Sequence, residues 1–266
     1  MQLIHRISIS SSPEIRAELA RIGIVADANG LVSFELDESH ESWPMLQRWI
    51  ADRKPIDIIV TKFSKQELTH ASWLELVPDW HYGYPQPNED VFGYRGVTYN
   101  LSDYCLQCGT GLKQKAPFQM KAEPKWGRNG IFQLNWVFDE YFVTPEVWAN
   151  IFESHGINCR PVLNTKGAEL KSVVQLVISE EVDIDTDGLL QEKCTTCGRV
   201  KYLPITRGKF PPLMSKPIGH IVKTKQYFGS GASANKRVLI SQDITQALLA
   251  ENVRGASMRP VMDDCQ

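Results

Sequence analysis

The chain has 266 residues, 42% of them hydrophobic and 23% charged, enough to bury one large core or two modest ones. A net charge of −2 gives no global nucleic-acid footprint, and no run of about 18 apolar residues offers a membrane span. The first 25 residues hold no charged-then-apolar leader, so a soluble cytoplasmic protein with reduced thiols is expected.

The N-terminal part opens with an apolar run over residues 3–9. Ser12-Pro13-Glu14 then reads as a helix N-cap, a proline at the first helical position and an acid in the first turn. Ile15, Leu19 and Ile22 follow at helical spacing, and Gly23 ends the helix. Residues 56–60 are strand-like, and Ser64 with Glu67 forms a capping box. Residues 73–87 are aromatic and rich in proline. Within them Asp79-Trp80-His81-Tyr82-Gly83-Tyr84-Pro85-Gln86-Pro87 reads as a loop whose rings either bind something or pack the loop down.

Two copies of one motif come next: Cys105-Leu106-Gln107-Cys108-Gly109 and Cys194-Thr195-Thr196-Cys197-Gly198. A Cys-x-x-Cys turn ending in glycine aims both sulfurs at one point, because glycine takes a positive φ without a Cβ clash. Two such knuckles, Cys105, Cys108, Cys194 and Cys197, supply the four ligands of a tetrahedral ion, and structural Zn2+ is expected. Iron accepts the same four thiolates. A redox pair normally uses one Cys-x-x-Cys at a helix start, and disulfides fit a reduced compartment poorly. A closed thiolate shell leaves no open position for catalysis.

The 85 residues between the knuckles far exceed a simple ribbon's spacing of roughly 15 to 20, so a folded module is expected to split the metal site. Residues 131–138 read as a strand. Thr144-Pro145-Glu146 starts a helix with Val147, Trp148, Ile151, Phe152 and His155 on its buried stripe, and Gly156 ends it. Residues 172–179 return as a strand. A strand end, a capped helix and Arg160-Pro161-Val162 are echoed near the C-terminus by Leu239-Ile240-Ser241, a helix with Ile244, Leu248 and Leu249, and Arg259-Pro260-Val261. The echo is either a repeated strand-helix-strand module or convergence. Residues 204–236, with four prolines and Gly229-Ser230-Gly231-Ala232-Ser233, read as a linker with turns and not as a phosphate-binding loop.

Charge is uneven. Residues 199–242 hold nine Lys or Arg and no Asp or Glu, just after an acidic run that includes Glu180, Glu181, Asp183, Asp185, Asp187 and Glu192. These are either complementary solvated faces or a partner surface. Asp183-Ile184-Asp185-Thr186-Asp187-Gly188 copies half of a calcium loop, but Cys194 stands where the bidentate glutamate belongs. Cys159 and Cys265 are single thiols. The histidines are scattered, with His155 read as a helix-end residue and His81 as the one to test, so no catalytic residues are assigned and an enzyme is not expected.

The paired knuckles, together with Tyr82-Gly83-Tyr84-Pro85-Gln86-Pro87, Glu123-Pro124-Lys125-Trp126, Asn135-Trp136-Val137-Phe138-Asp139-Glu140 and Arg160-Pro161-Val162, resemble the bacterial double-CxxCG motif family over about residues 60–215. Some members of that family are immunity proteins that neutralise a cognate toxin. The resemblance therefore implies a non-catalytic, zinc-stabilised binding protein with a toxin as partner. The alternative is a zinc-knuckle nucleic-acid-binding regulator. The expected fold is α+β, with a zinc-ribbon-like site split by the inserted module and a second copy of that module at the C-terminus. The expected segments are 1–100, an N-terminal α/β region; 101–206, the split knuckle domain; and 207–266, the basic linker and final module.

Overall fold

Alternating apolar residues make β1 (Gln2–Ser10) the centre of a three-stranded antiparallel sheet, between β2 (Leu31–Asp37) and β3 (Ile56–Lys62). The intervening helices are α1 (Pro13–Arg21) and α2 (Trp43–Arg53). Ser12 caps α1, its Oγ accepting from the Ile15 N–H at 3.1 Å, as the sequence indicates. Ile7, Leu19, Leu46 and Trp49 fill the core between helices and sheet. His5 is buried on β1, with Nδ1 2.9 Å from Asp57 and Nε2 2.9 Å from Glu38. In the computed structural model, which describes residues 1–25, 30–88 and 92–263, this unit comprises Met1–Glu67 and Ile205–Gly208. The short return belongs here because Arg207 pairs with Glu38 at 2.6 Å and the Gly208 N–H donates to Thr61 Oγ1 at 3.0 Å. Across residues 64–70 the Ser64/Glu67 capping box opens α3 (Lys65–His70), with Glu67 N–H on Ser64 Oγ at 3.2 Å.

The second unit comprises Leu68–Pro204 and Lys209–Gln266. In chain order it holds β4 (Trp73–Pro78), α4 (Tyr94–Thr98), β5 (Tyr99–Asn100), β6 (Lys113–Gln114), β7 (Gln119–Met120), β8 (Ile131–Phe132) and β9 (Phe142–Val143). Then follow α5 (Pro145–Val147), β10 (Cys159–Asn164), β11 (Glu169–Leu176), β12 (Glu181–Val182), β13 (Gln191–Lys193) and β14 (Val200–Tyr202). The last elements are β15 (Ile221–Thr224), β16 (Val238–Ser241), α6 (Gln242–Ala250) and β17 (Ala256–Pro260). Two five-stranded sheets run β7-β10-β11-β9-β8 and β12-β15-β16-β4-β17. Ile151 and Phe152 from the first helical run, Ile244 and Leu248 from α6, and Leu74, Val143, Leu176 and Ile240 from the sheets share one core.

The two Arg-Pro-Val segments occupy equivalent places. β9 and β10 both pair antiparallel with β11, and β16 and β17 both pair antiparallel with β4, so each segment is a β-α-β crossover around one central strand. Register agrees residue by residue. Arg160 faces Gln175 and Pro161 faces Val174 on β11, while Arg259 faces Glu75 and Pro260 faces Leu74 on β4. Each first strand carries a further antiparallel partner, Ile131↔Val143 in one and Ile221↔Ile240 in the other. The N-caps match too: Thr144 N–H donates to Gly130 O, and Ser241 N–H to His220 O. The central strands differ in order, since β11 follows its crossover and β4 precedes its own by more than 160 residues.

Several elements depart from the sequence expectations. Residues 131–138 form a strand only at Ile131–Phe132, because Trp136 turns the backbone to φ 69. The helix from Thr144 is a single α turn, then a π turn at Trp148–Phe152 and a 3-10 turn at Glu153–His155, closed by Gly156 at φ 75. The presumed linker contains β15, wholly buried between β12 and β16. The compact units also divide the chain elsewhere than the segments 1–100, 101–206 and 207–266, since β4 reaches its sheet neighbours only through residues 238–260. Among the described residues no helix is long and apolar enough to cross a membrane.

Candidate metal centre

Each cysteine pair sits at the tip of a hairpin, β5–β6 for Cys105 and Cys108, β13–β14 for Cys194 and Cys197. The two tips are built alike. Cys105 N–H donates to Thr110 O at 2.9 Å and Gly109 N–H to Cys105 O at 2.8 Å; Cys194 N–H donates to Arg199 O at 2.9 Å and Gly198 N–H to Cys194 O at 2.9 Å. Both glycines take the positive φ that the turn needs, 82° and 73°.

The Sγ atoms of Cys105 and Cys194 lie 3.8 Å apart, those of Cys108 and Cys197 3.6 Å apart, and all four fall within 4.8 Å of one another. Metal–sulfur bonds of about 2.3 Å in a tetrahedron place sulfurs roughly 3.8 Å apart, whereas a disulfide needs about 2.05 Å. The donor set therefore fits a four-coordinate metal ion, and none of the four is in a disulfide. Cys105, Cys108 and Cys194 are buried and Cys197 is exposed. Burial pushes the Cys108 thiol up, but the Thr110 hydroxyl and N–H, with the neighbouring thiols, outweigh it and hold the group down at about 6. Cys194 is lowered, chiefly by the N–H of Cys197. At Cys197 the Arg199 N–H works downward, yet burial and bonds to the other three sulfurs push it up to about 11. Four thiols crowded this way ionise together only beside a cation.

Polar contacts across the knuckles hold the tips in place. The Gln107 amide donates to Thr195 Oγ1 at 3.1 Å and accepts from the Thr196 hydroxyl, and Arg199 reaches back to Asp103 O at 2.5 Å. A third segment joins them. A Cβ on Gly109 would meet Ala232 O at 2.3 Å and Ala234 N at 3.0 Å, so residues 232–234 lie directly on the first knuckle. That loop is fixed from beneath by buried Lys201, whose ammonium donates to Gly231 O and to Ser233 O.

The other sequence candidates find structural partners. Lys225 pairs with Asp183 at 2.6 Å, Lys201 with Glu192 at 3.6 Å, Lys236 with Glu181, Lys223 with Glu140 at 2.5 Å, and Arg237 with Glu75 at 3.6 Å. The basic and acidic runs thus neutralise each other in part, and Asp183 is occupied rather than poised for calcium. Among the described residues the cysteine quartet is the one group of three or more His, Cys, Asp or Glu converging on a point. Trp80 and Tyr82 pack on Phe132 at 5.3 and 5.9 Å, so the aromatic loop is packed down. Glu123 accepts the N–H groups of Lys171 and Ser172 at 2.7 and 3.1 Å, and Trp126 Nε1 donates to Ser172 O at 2.9 Å. His81 stands edge-on to Phe138, and desolvation lowers its pKa. His155 Nδ1 lies 2.6 Å from Ile151 O at its helix end. Burial raises the Cys159 thiol, and Cys265 lies outside the described residues.

One arrangement was not legible in the sequence: His220 Nδ1 lies 2.9 Å from Ser241 Oγ and 3.4 Å from Asp243. Serine and carboxylate share the same ring nitrogen, so no proton relay runs through the imidazole, and Ser241 caps α6 through the Ile244 N–H at 3.5 Å.

No family model matches the chain, and no characterised protein is detectably similar to it in sequence.

Proposed function

We propose that this chain is a zinc-stabilised, non-catalytic binding protein that acts as an immunity protein, neutralising a cognate bacterial toxin by direct contact. The observation that carries the reading is the cysteine quartet, a closed tetrahedral donor set from two Cys-x-x-Cys-Gly knuckles 89 residues apart. Four thiolates leave the metal no coordination position for water or substrate, which gives it a scaffolding task. Zinc is the natural occupant, with the site a ribbon-like pair of knuckles split by the first β-α-β segment. The resemblance to double-CxxCG immunity proteins supplies the partner class.

The regulator alternative is less well supported. Of the nine cations in residues 199–242, Lys201, Arg207, Lys223, Lys225, Lys236 and Arg237 lie within 4 Å of carboxylates, which reduces the free charge a phosphate backbone would need.

Co-expression with the toxin encoded beside this gene tests the proposal. Rescue of growth and a stoichiometric complex with the purified toxin are expected. Absence of both for every adjacent toxin gene overturns it, and binding to a DNA or RNA duplex that weakens steeply with salt favours the regulator.

A further inference from the structure

Within the second unit a cleft of about 400 Å³ lies between the first β-α-β segment and residues 232–236, a volume in the range of small-ligand sites. Its floor is a closed network. Gln175 accepts from Gln114 Nε2 at 2.9 Å and donates to Gln114 Oε1 at 2.7 Å and to Glu140 Oε2 at 3.0 Å, while Glu140 Oε1 takes the Lys223 ammonium at 2.5 Å. Nearer the rim Lys236 is committed to Glu181, and Arg95 is stacked over Phe92 at 4.0 Å.

Two opposite charges in this cleft, Arg160 and Asp139, have no salt bridge among the described residues. Arg160 is half-buried and, among the described residues, its guanidinium has neither hydrogen bond nor ion pair. Its register counterpart Arg259 has a carboxylate, Glu75, at 3.5 Å. The residue facing Arg160 is Gln175, whose amide is already spent on Gln114 and Glu140. Among the described residues, the place that a carboxylate fills in one segment is therefore without one in the other. Asp139 is the second charge, with one long 3.5 Å bond from the Lys236 N–H.

The wall beside them is aromatic. Trp136 is 37% exposed, stacks on Tyr94 at 6.4 Å and meets Phe92 edge-on at 4.9 Å. It sits at φ 69, a conformation that costs a bulky residue on the order of 1 kcal/mol or more and that concentrates at ligand clamps.

We propose that the cleft binds a small zwitterion of the amino-acid or short-peptide class, its carboxylate on the Arg160 fork and its ammonium at Asp139 beside the Trp136 ring. A planar guanidinium matches a carboxylate with two parallel bonds, and an indole face attracts an ammonium. Lys223 and Lys236 neutralise Glu140 and Glu181, so the lining carboxylate left to receive an ammonium, and to work against a dianion, is Asp139. The inference stands on the cleft alone and does not depend on the immunity reading.

The test is a titration of the metal-loaded full chain with the twenty L-amino acids, a set of dipeptides, acetate and inorganic phosphate, read by tryptophan fluorescence and calorimetry. At least one zwitterion is expected to bind with sub-millimolar Kd and to perturb the fluorescence of Trp136, with acetate and phosphate at least tenfold weaker. Arg160→Gln and Asp139→Asn should each weaken that binding tenfold or more. Because Arg160 has no hydrogen-bond or ion-pair partner among the described residues, Arg160→Gln should leave the thermal midpoint within about a degree. No binding by any zwitterion, binding unchanged in both variants, or phosphate binding as tightly as the best zwitterion each overturns the proposal.

Discussion

Lys223 donates to Glu140 at 2.5 Å across 83 residues of sequence, and this buried bond ties the sheet of the second β-α-β segment to the loop that feeds the first. Burial pushes the Glu140 carboxyl up, and the ammonium works against that shift. Removing one partner strands the other. Lys223→Met should cost about 3–5 kcal/mol in urea unfolding, and adding Glu140→Gln should recover most of it. A single variant costing under about 1 kcal/mol would show that the pair is solvated.

The knuckles should depend on metal rather than on packing alone. Cys194→Ser is expected to carry less bound metal by elemental analysis and to lower the thermal midpoint. A chelator should lower the midpoint of the natural chain and leave that of the variant unchanged. Equal sensitivity of both to the chelator would place the stabilising metal elsewhere.

Glu75 carries a pH signature. Burial raises its carboxyl above the ordinary value of 4.5, with Arg237 and Arg259 pulling the other way. The native state then holds the proton more tightly than the unfolded chain. Its contribution is complete below pH 4.5 and is lost as pH rises toward the native value. Glu75→Gln cannot release a proton, so the stability of the natural chain relative to the variant should fall as pH rises above 4.5. A difference constant with pH would mean that Glu75 titrates normally in the fold.

Gln133 is fully buried, and among the described residues neither atom of its amide has a partner. An unsatisfied buried polar group costs roughly 1–3 kcal/mol. Gln133→Met, close in volume, is expected to raise the thermal midpoint; a fall would reveal a partner for that amide in solution.

What the sequence disclosed was local or identical. Ser12 and Thr144 announce their helices through side-chain bonds three residues long, and the cysteine pairs through fixed spacing. Arg-Pro-Val aligned the two segments because the same three residues recur in the same register. Strands β4 and β15 escaped because each places a charge at a core position. Glu75 and Lys223 break the apolar pattern, and their partners lie far away in sequence. The lack of a carboxylate partner for Arg160 among the described residues escaped for a related reason. Both arginines sit in the same Arg-Pro-Val context; the difference that decides pairing lies in Gln175 against Glu75, on strands nearly 100 residues apart.

The glycines that end the two knuckles look interchangeable, yet a Cβ on Gly198 would meet nothing within 4 Å while one on Gly109 would collide with Ala232. The first knuckle is thus a bearing surface as well as a ligand turn. Ala232 and its neighbours also line the cleft, so the same few residues touch the metal turn on one side and the vacant charges on the other. Anything that firms this shared segment from one side firms it for the other. A metal at the knuckles and a ligand in the cleft would both bear on this one segment, and any coupling between them would be reciprocal.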